Sequence, residues 1–116
     1  MRKLRWLSAI IFLATSLSVI VNIAHAAWVW SSKATIRELH VHNNGNYYIV
    51  MNLPDFNPHN CVSNNAYIVN PASNNASELR DALKFAFQES KHIAVALDTC
   101  YGQNNSIKGV VVYNAN

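Results

Sequence analysis

The strongest constraint in this sequence is one amphipathic helix flanked on both sides by strand-like segments. The spacing of apolar residues predicts the helix over residues 76–90, with polar and charged residues opposite one apolar stripe. The stripe consists of Leu79, Ala82, Leu83, Ala86 and Phe87. A helix with a single apolar stripe needs a partner that covers it. We therefore expect this helix to pack against a β-sheet.

Alternating and β-branched segments predict three strands before the helix and two after it. These segments are residues 35–42, 47–53, 61–69, 92–98 and 107–113. Asn- and Gly-containing residues 43–46 and the polar residues 101–105 predict turns. The order β-β-β-α-β-β matches the five-stranded Greek-key barrel of the OB-fold, in which a helix follows the third strand. We therefore predict an all-β fold with one helix, arranged as an OB-fold-like barrel. An open α+β sandwich has the same order of elements and is the alternative.

Residues 1–26 have the pattern of a cleaved secretory signal. Basic residues near the start precede a largely apolar segment, and Ala24-His25-Ala26 forms a small-x-small cleavage site. A retained membrane anchor is the competing interpretation, because the apolar segment is just long enough to span a bilayer. Cleavage would leave residues 27–116 as one small domain, secreted or periplasmic in a bacterium.

Removal of this signal also removes the net positive charge. The chain has 9 Lys and Arg residues against 6 Asp and Glu residues, and Arg2, Lys3 and Arg5 account for the whole excess. Residues 27–116 are therefore formally neutral. Because nucleic-acid binding requires a concentrated positive surface, we exclude a nucleic acid as the partner.

The chain contains 2 cysteines, Cys61 and Cys100. In an exported protein such a pair is expected to form a disulfide, which here would close a long loop that contains the helix. A reactive or metal-binding thiol pair is the alternative, but the spacing matches neither a CxxC motif nor a zinc site.

Motifs for catalysis are absent from the sequence. It has no Gly-rich phosphate loop, no nucleophile elbow and no HExxH motif, and its carboxylates show no paired arrangement. His40 and His42 could form half of a metal site, completed by His59 or Asp98, but we favour the simpler interpretation that they are exposed strand histidines. We expect neither an enzyme nor a cofactor.

Sugar binding fits the composition better. Aromatic faces stack on the apolar side of a pyranose ring, while amides and hydroxyls bind its hydroxyl groups. The candidate residues are Trp28, Trp30, Ser32, Tyr47, Tyr48, Tyr67, Tyr101 and Tyr113. Packing within half-buried strands is the alternative role for each tyrosine.

The segment from Ser32 to Val41, with its Glu-Leu-His-Val run, resembles the first strand of the B subunits of subtilase-cytotoxin-like and pertussis-like bacterial toxins. Residues 77–90 and the strand at residues 93–97 resemble the helix and following strand of those subunits. The similarity extends thinly over residues 30–113. It depends on pattern, because no diagnostic motif is present, and the start Trp28-Val29-Trp30 departs from the typical subunit.

The resemblance implies an OB barrel, a homopentameric ring, a sialylated or related cell-surface glycan as ligand and a toxin A subunit as partner. It also implies that Ser32, just before the first strand, contacts the sugar. We expect a nearby aromatic residue, Trp30 or Tyr101, to form a wall of the site, although no motif assigns either. The alternative is a cell-envelope or secreted protein-interaction domain that has the same fold and binds no sugar.

Overall fold

The structure is a computed structural model that describes residues 28–114. It is mostly β with one helix. The elements are β1 (Val29–Trp30), β2 (Ile36–Val41), β3 (Tyr47–Met51), β4 (Tyr67–Val69), α1 (Ala76–Gln88), β5 (Ile93–Tyr101) and β6 (Asn104–Val112). The helix lies where the apolar stripe predicts it. Five of the strands overlap the predicted segments, and β1 is an additional strand.

The six strands form one mixed sheet in the order β1-β5-β6-β4-β3-β2. All neighbouring strands are antiparallel except β4 and β6, which are parallel. Because β1 and β2 are the two edges of this order, the sheet is not closed. The prediction of five strands therefore missed one strand, and a closed barrel is not what the strand order describes.

The additional strand β1 is defined by its contacts with β5. Val29 pairs with Leu97 and Trp30 with Ala96. Beyond β1, the backbone N–H of Ser31 donates to the Val95 carbonyl over 2.8 Å. A strand of two residues has no periodicity to detect, so only the partner strand reveals it.

The hairpin between β5 and β6 turns more tightly than the sequence predicts. Tyr101 pairs with Asn104, so only Gly102 and Gln103 lie between the strands. Gly102 has a φ of +61°, which suits a residue without a side chain. The residues predicted as a turn at 104–105 instead begin β6.

The core lies between α1 and the sheet. Leu79, Leu83 and Ala86 face inward from the helix, and the helix packs against β6, β2 and β4. The fully buried large side chains that complete this core are Ile49, Val69, Ile93, Val95, Leu97 and Ile107. Phe87 differs from the prediction, since it is 38% exposed at the edge of the stripe while Ala86 takes the inward position.

The predicted disulfide between Cys61 and Cys100 is confirmed, with a Cα–Cα distance of 5.6 Å. It joins the loop that follows β3 to the end of β5. A polar network lies beside it: Asn105, fully buried, donates to Asn57 Oδ1 over 2.8 Å, and the same oxygen accepts from the Cys61 N–H. The loop is thus held by covalent and hydrogen bonds together.

The disulfide also indicates an oxidising, extracytoplasmic environment. The predicted signal, residues 1–26, lies outside the described residues. Within residues 28–114, no helix has the length and apolar character needed to cross a membrane.

We expect Leu83→Ala to lower the free energy of unfolding by about 2–5 kcal/mol, because Leu83 is 0% exposed and its truncation leaves a cavity. Lys84→Ala, at the next and exposed position, is the control and should cost less than about 0.5 kcal/mol. Urea denaturation of both variants measures the difference. Equal losses would mean that the buried face of α1 is misassigned.

Replacing both cysteines with alanine should lower the free energy of unfolding by about 4 kcal/mol, from the chain entropy of the closed loop. The bridged residues are 39 positions apart, so the disulfide constrains much of the unfolded chain. Denaturation with and without reductant provides the measurement. Reductant should destabilise the wild type and leave the double variant unchanged, and equal sensitivity of the two would contradict the role of the bond.

Candidate functional site

Two exposed tryptophans lie side by side on the outer face of the sheet. Trp28 and Trp30 are 50% and 48% exposed, and they alternate along the chain, so both side chains leave the same face. A Cβ atom at Gly109 would lie 3.4 Å from Trp30 Cη2 and 3.5 Å from Trp28 Cζ3. Both indoles therefore lie on β6 where it has no side chain. We call Trp28 and Trp30 the tryptophan platform.

A polar cleft of about 340 Å³ opens beside Trp28. Its other lining residues are Ala72, Ser73, Asn74, Asn75 and Lys108. The Lys108 ammonium donates to Ser73 Oγ over 3.0 Å, and the Asn75 amide donates to the Lys108 carbonyl over 3.1 Å. These bonds hold the turn before α1 against β6. We call this space the Lys108 cleft.

The Lys108 cleft combines groups suited to a polar ligand with an apolar side. An indole forms one wall, amide and hydroxyl groups line the other, and Lys108 provides a cation. An ammonium group has three N–H donors, of which Ser73 accepts one. The cleft can therefore stack a ring on Trp28 and donate hydrogen bonds to that ring's substituents.

Ser32 lies in a separate depression. It is exposed just after β1 and lines a space of about 100 Å³ together with Leu53, Pro54, Asp55 and Phe56. The preceding residue, Ser31, has a structural role instead, because its buried hydroxyl donates to the Ser32 carbonyl and accepts from the Val95 N–H. Only the second serine of the pair is thus available to a ligand.

Tyr101 lies far from the other two predicted site residues. It ends β5, whereas Trp30 pairs with Ala96, which is 101 − 96 = 5 residues earlier in the same strand. At the usual rise of an extended strand, the two levels are about 16 Å apart. The structure therefore places Trp30 beside the Lys108 cleft, Ser32 in its own depression and Tyr101 at the distant hairpin end.

His40, on β2, and His42, just after β2, face a third space of about 180 Å³. Its other lining residues are Tyr48, Val50, Ala66 and Asn104. His59 does not join them, because its Nε2 atom is hydrogen bonded to the Leu97 carbonyl at 2.9 Å. Across residues 28–114, no three His, Cys, Asp or Glu side chains form a group that could hold a metal ion.

Sequence reasoning found the tryptophans but missed the polar side of the cleft. From the sequence, the residues before α1 were interpreted only as a polar connection, and Lys108 was predicted only as part of a strand. Asn75 and Lys108 are 33 positions apart in the chain, and only the folded structure brings them into contact. A glycine inside a strand was the available signal, because Gly109 indicates a close approach by another group.

Two comparisons with known proteins give no assignment. No model of a protein family matches the sequence. A search of curated proteins finds no significant match. Neither comparison identifies a toxin B subunit.

Tyr67, which lines a further depression beside Asp55, makes stability sensitive to alkaline pH. Burial raises its pKa from 10.0 to about 12, and the charge of Asp55 acts in the same direction. A raised pKa in the folded state favours the protonated phenol. Its contribution is therefore complete below pH 10 and is lost as the pH rises from 10 to about 12.

We expect the free energy of unfolding to fall more steeply over this pH range in the wild type than in Tyr67→Phe. At neutral pH the variant should cost about 1 kcal/mol, because the Tyr67 hydroxyl donates to the Phe56 carbonyl over 2.8 Å. Urea denaturation across the range measures both effects. Tyr101→Phe, at an exposed position, is the control, and identical slopes for wild type and Tyr67→Phe would contradict the assignment.

Proposed function

We propose that this chain is an exported, non-enzymatic glycan-binding domain that resembles the receptor-binding B subunit of a bacterial toxin. The observation that supports this proposal is the tryptophan platform beside the Lys108 cleft. Adjacent exposed aromatic side chains form an apolar patch, and such patches mark surfaces that bind a partner. Here they border polar groups that can bind hydroxyls, which is the combination a pyranose requires.

The proposal includes an OB-type barrel that is partly open. Its support is the path of the first residues: β1 and β2 are consecutive in the chain but lie at opposite edges of the sheet order. Between them, Ala34 bridges to Ile93 of β5. One bent segment therefore contacts both ends of the sheet. The parallel pairing of β4 with β6 also fits a Greek-key barrel with a helix after its third strand, if the two-residue β1 is not counted.

The size and chemistry of the Lys108 cleft suit one sugar ring. A volume of about 340 Å³ falls in the range of small-ligand sites. Stacking on Trp28 would bury the apolar face of the ring, and such aromatic contacts contribute about 0.5–1.5 kcal/mol beyond the buried area. The Asn74 and Asn75 side chains would then face its hydroxyl groups, and Lys108 suits the carboxylate of a sialylated glycan.

Ser32 and Tyr101 have different places in this proposal. Ser32 would bind a second unit of the same glycan or a substituent that reaches its depression. Tyr101 would contact only a glycan long enough to cover the roughly 16 Å between the two levels of β5. The resemblance extends the proposal to a homopentamer and a toxin A subunit, which size measurement and the neighbouring genes would test.

A protein-interaction domain without sugar binding is the second candidate. The observation that favours it is apolar exposure on α1, where Phe85 is 51% exposed and Phe87 is 38% exposed. Aromatic side chains of this kind are enriched in protein interfaces. In this case α1, and not the tryptophan platform, would contact the partner.

The protein purified after export should bind a subset of glycans on an array, and titration with one of them should quench tryptophan fluorescence. Trp28→Ala should weaken binding by about tenfold, since each 1.4 kcal/mol is a factor of ten. Ser32→Ala should do the same if its hydroxyl bonds a charged group, which is worth about 1.5–3 kcal/mol. Thermal stability of Ser32→Ala should be unchanged because Ser32 is exposed.

Phe85→Ala is the matched control, because it removes an equally exposed aromatic residue from α1. It should leave glycan affinity unchanged. Unaltered binding by both Trp28→Ala and Ser32→Ala would refute these two sites. Absence of any glycan binding by the wild type would refute the function and leave the protein-interaction candidate.

A further inference from the structure

His40 on β2 and His42 just after β2 are arranged as a chelating pair that the proposed glycan site does not use. Glu38, His40 and His42 alternate along the strand and the residue after it, so their side chains leave the same face. All three are exposed. The ring centroids of His40 and His42 are 6.3 Å apart.

Glu38 orients the imidazole ring of His40 through a hydrogen bond. Its Oε1 atom lies 2.9 Å from His40 Nε2, so a neutral ring donates its Nε2 proton to the carboxylate. Nδ1 then has a free lone pair. The same pattern, in which a carboxylate orients a histidine from its far side, supports ligands in established metal sites.

We propose that His40 and His42 together bind one divalent transition-metal cation, such as Zn²⁺ or Ni²⁺, with water completing its coordination. Imidazole nitrogens bind such ions at about 2.0–2.1 Å, which places two rings on one ion with centroids roughly 4.5–5 Å apart. The observed separation of 6.3 Å therefore needs to close by about 1–2 Å. Exposed side chains make that rotation inexpensive.

The ion would retain open coordination positions. In the described part of the chain no third His, Cys, Asp or Glu side chain completes the group. The ion would lie at the mouth of the space formed with Tyr48 and Val50, whose ring and methyl groups offer no strong ligand. It would therefore be an exchangeable site that can accept an oxygen ligand, unlike a closed structural site.

Isothermal titration calorimetry tests the proposal. The exported protein is titrated with Ni²⁺ and with Zn²⁺ in a buffer that does not chelate metals. We expect one ion per chain. The relative affinity for Ni²⁺ and Zn²⁺ should depend on the geometry of the site, because a tetrahedral site favours Zn²⁺. His40→Gln and His42→Gln should each weaken Ni²⁺ binding by more than about tenfold. Circular dichroism checks that both variants remain folded.

His92→Gln is the matched control, because His92 lies half-buried just before β5 and does not line the space that His40 and His42 face. It should bind Ni²⁺ as the wild type does. The proposal is overturned if the wild type binds neither ion, or if both His40→Gln and His42→Gln still bind Ni²⁺ as the wild type does. It is also overturned if only His92→Gln reduces binding. None of these results depends on whether a glycan binds.

Discussion

The structure depends on one parallel contact between β4 and β6. In the sheet order, β2, β3 and β4 form one antiparallel half, and β1, β5 and β6 form the other. Tyr67 opposite Asn105 and Ile68 opposite Ser106 join the two halves. Parallel strands require a long connection between them, and here α1 and β5 provide it. The helix is therefore both the core's cover and part of the crossover.

This contact is short, and polar side chains reinforce it. β4 has three residues, so few ladder hydrogen bonds are available. Asn104 donates to the Ala66 carbonyl over 2.9 Å, and Asn105 bonds the loop that precedes β4. The Cys61–Cys100 disulfide crosses the same region. Because a buried amide left without partners costs about 1–3 kcal/mol, these asparagines stabilise one specific register.

Hydrophobic periodicity predicted the elements whose apolar pattern is contained within their own residues. The stripe of α1 and the alternation of β2 and β3 are local, so the sequence indicated them within a few residues. The hairpin at residues 101–105 was predicted differently because asparagine favours turns in local terms. Asn104 and Asn105 instead bond a loop that is distant in sequence. Local propensity contains no information about such a partner, and the same limit concealed β1.

The candidate site also has one part that the sequence indicated and one part that depends on the fold. Trp28 and Trp30 were recognisable because two tryptophans two positions apart, followed by polar residues, are hard to bury in a small domain. The polar half of the cleft depends on β6, which brings Lys108 beside the turn before α1. Gly109 connects the two halves: a Cβ there would already contact both indoles, so a longer side chain would displace them. The glycine thus maintains the tryptophan platform through packing, and the same strand that completes the core also shapes the cleft.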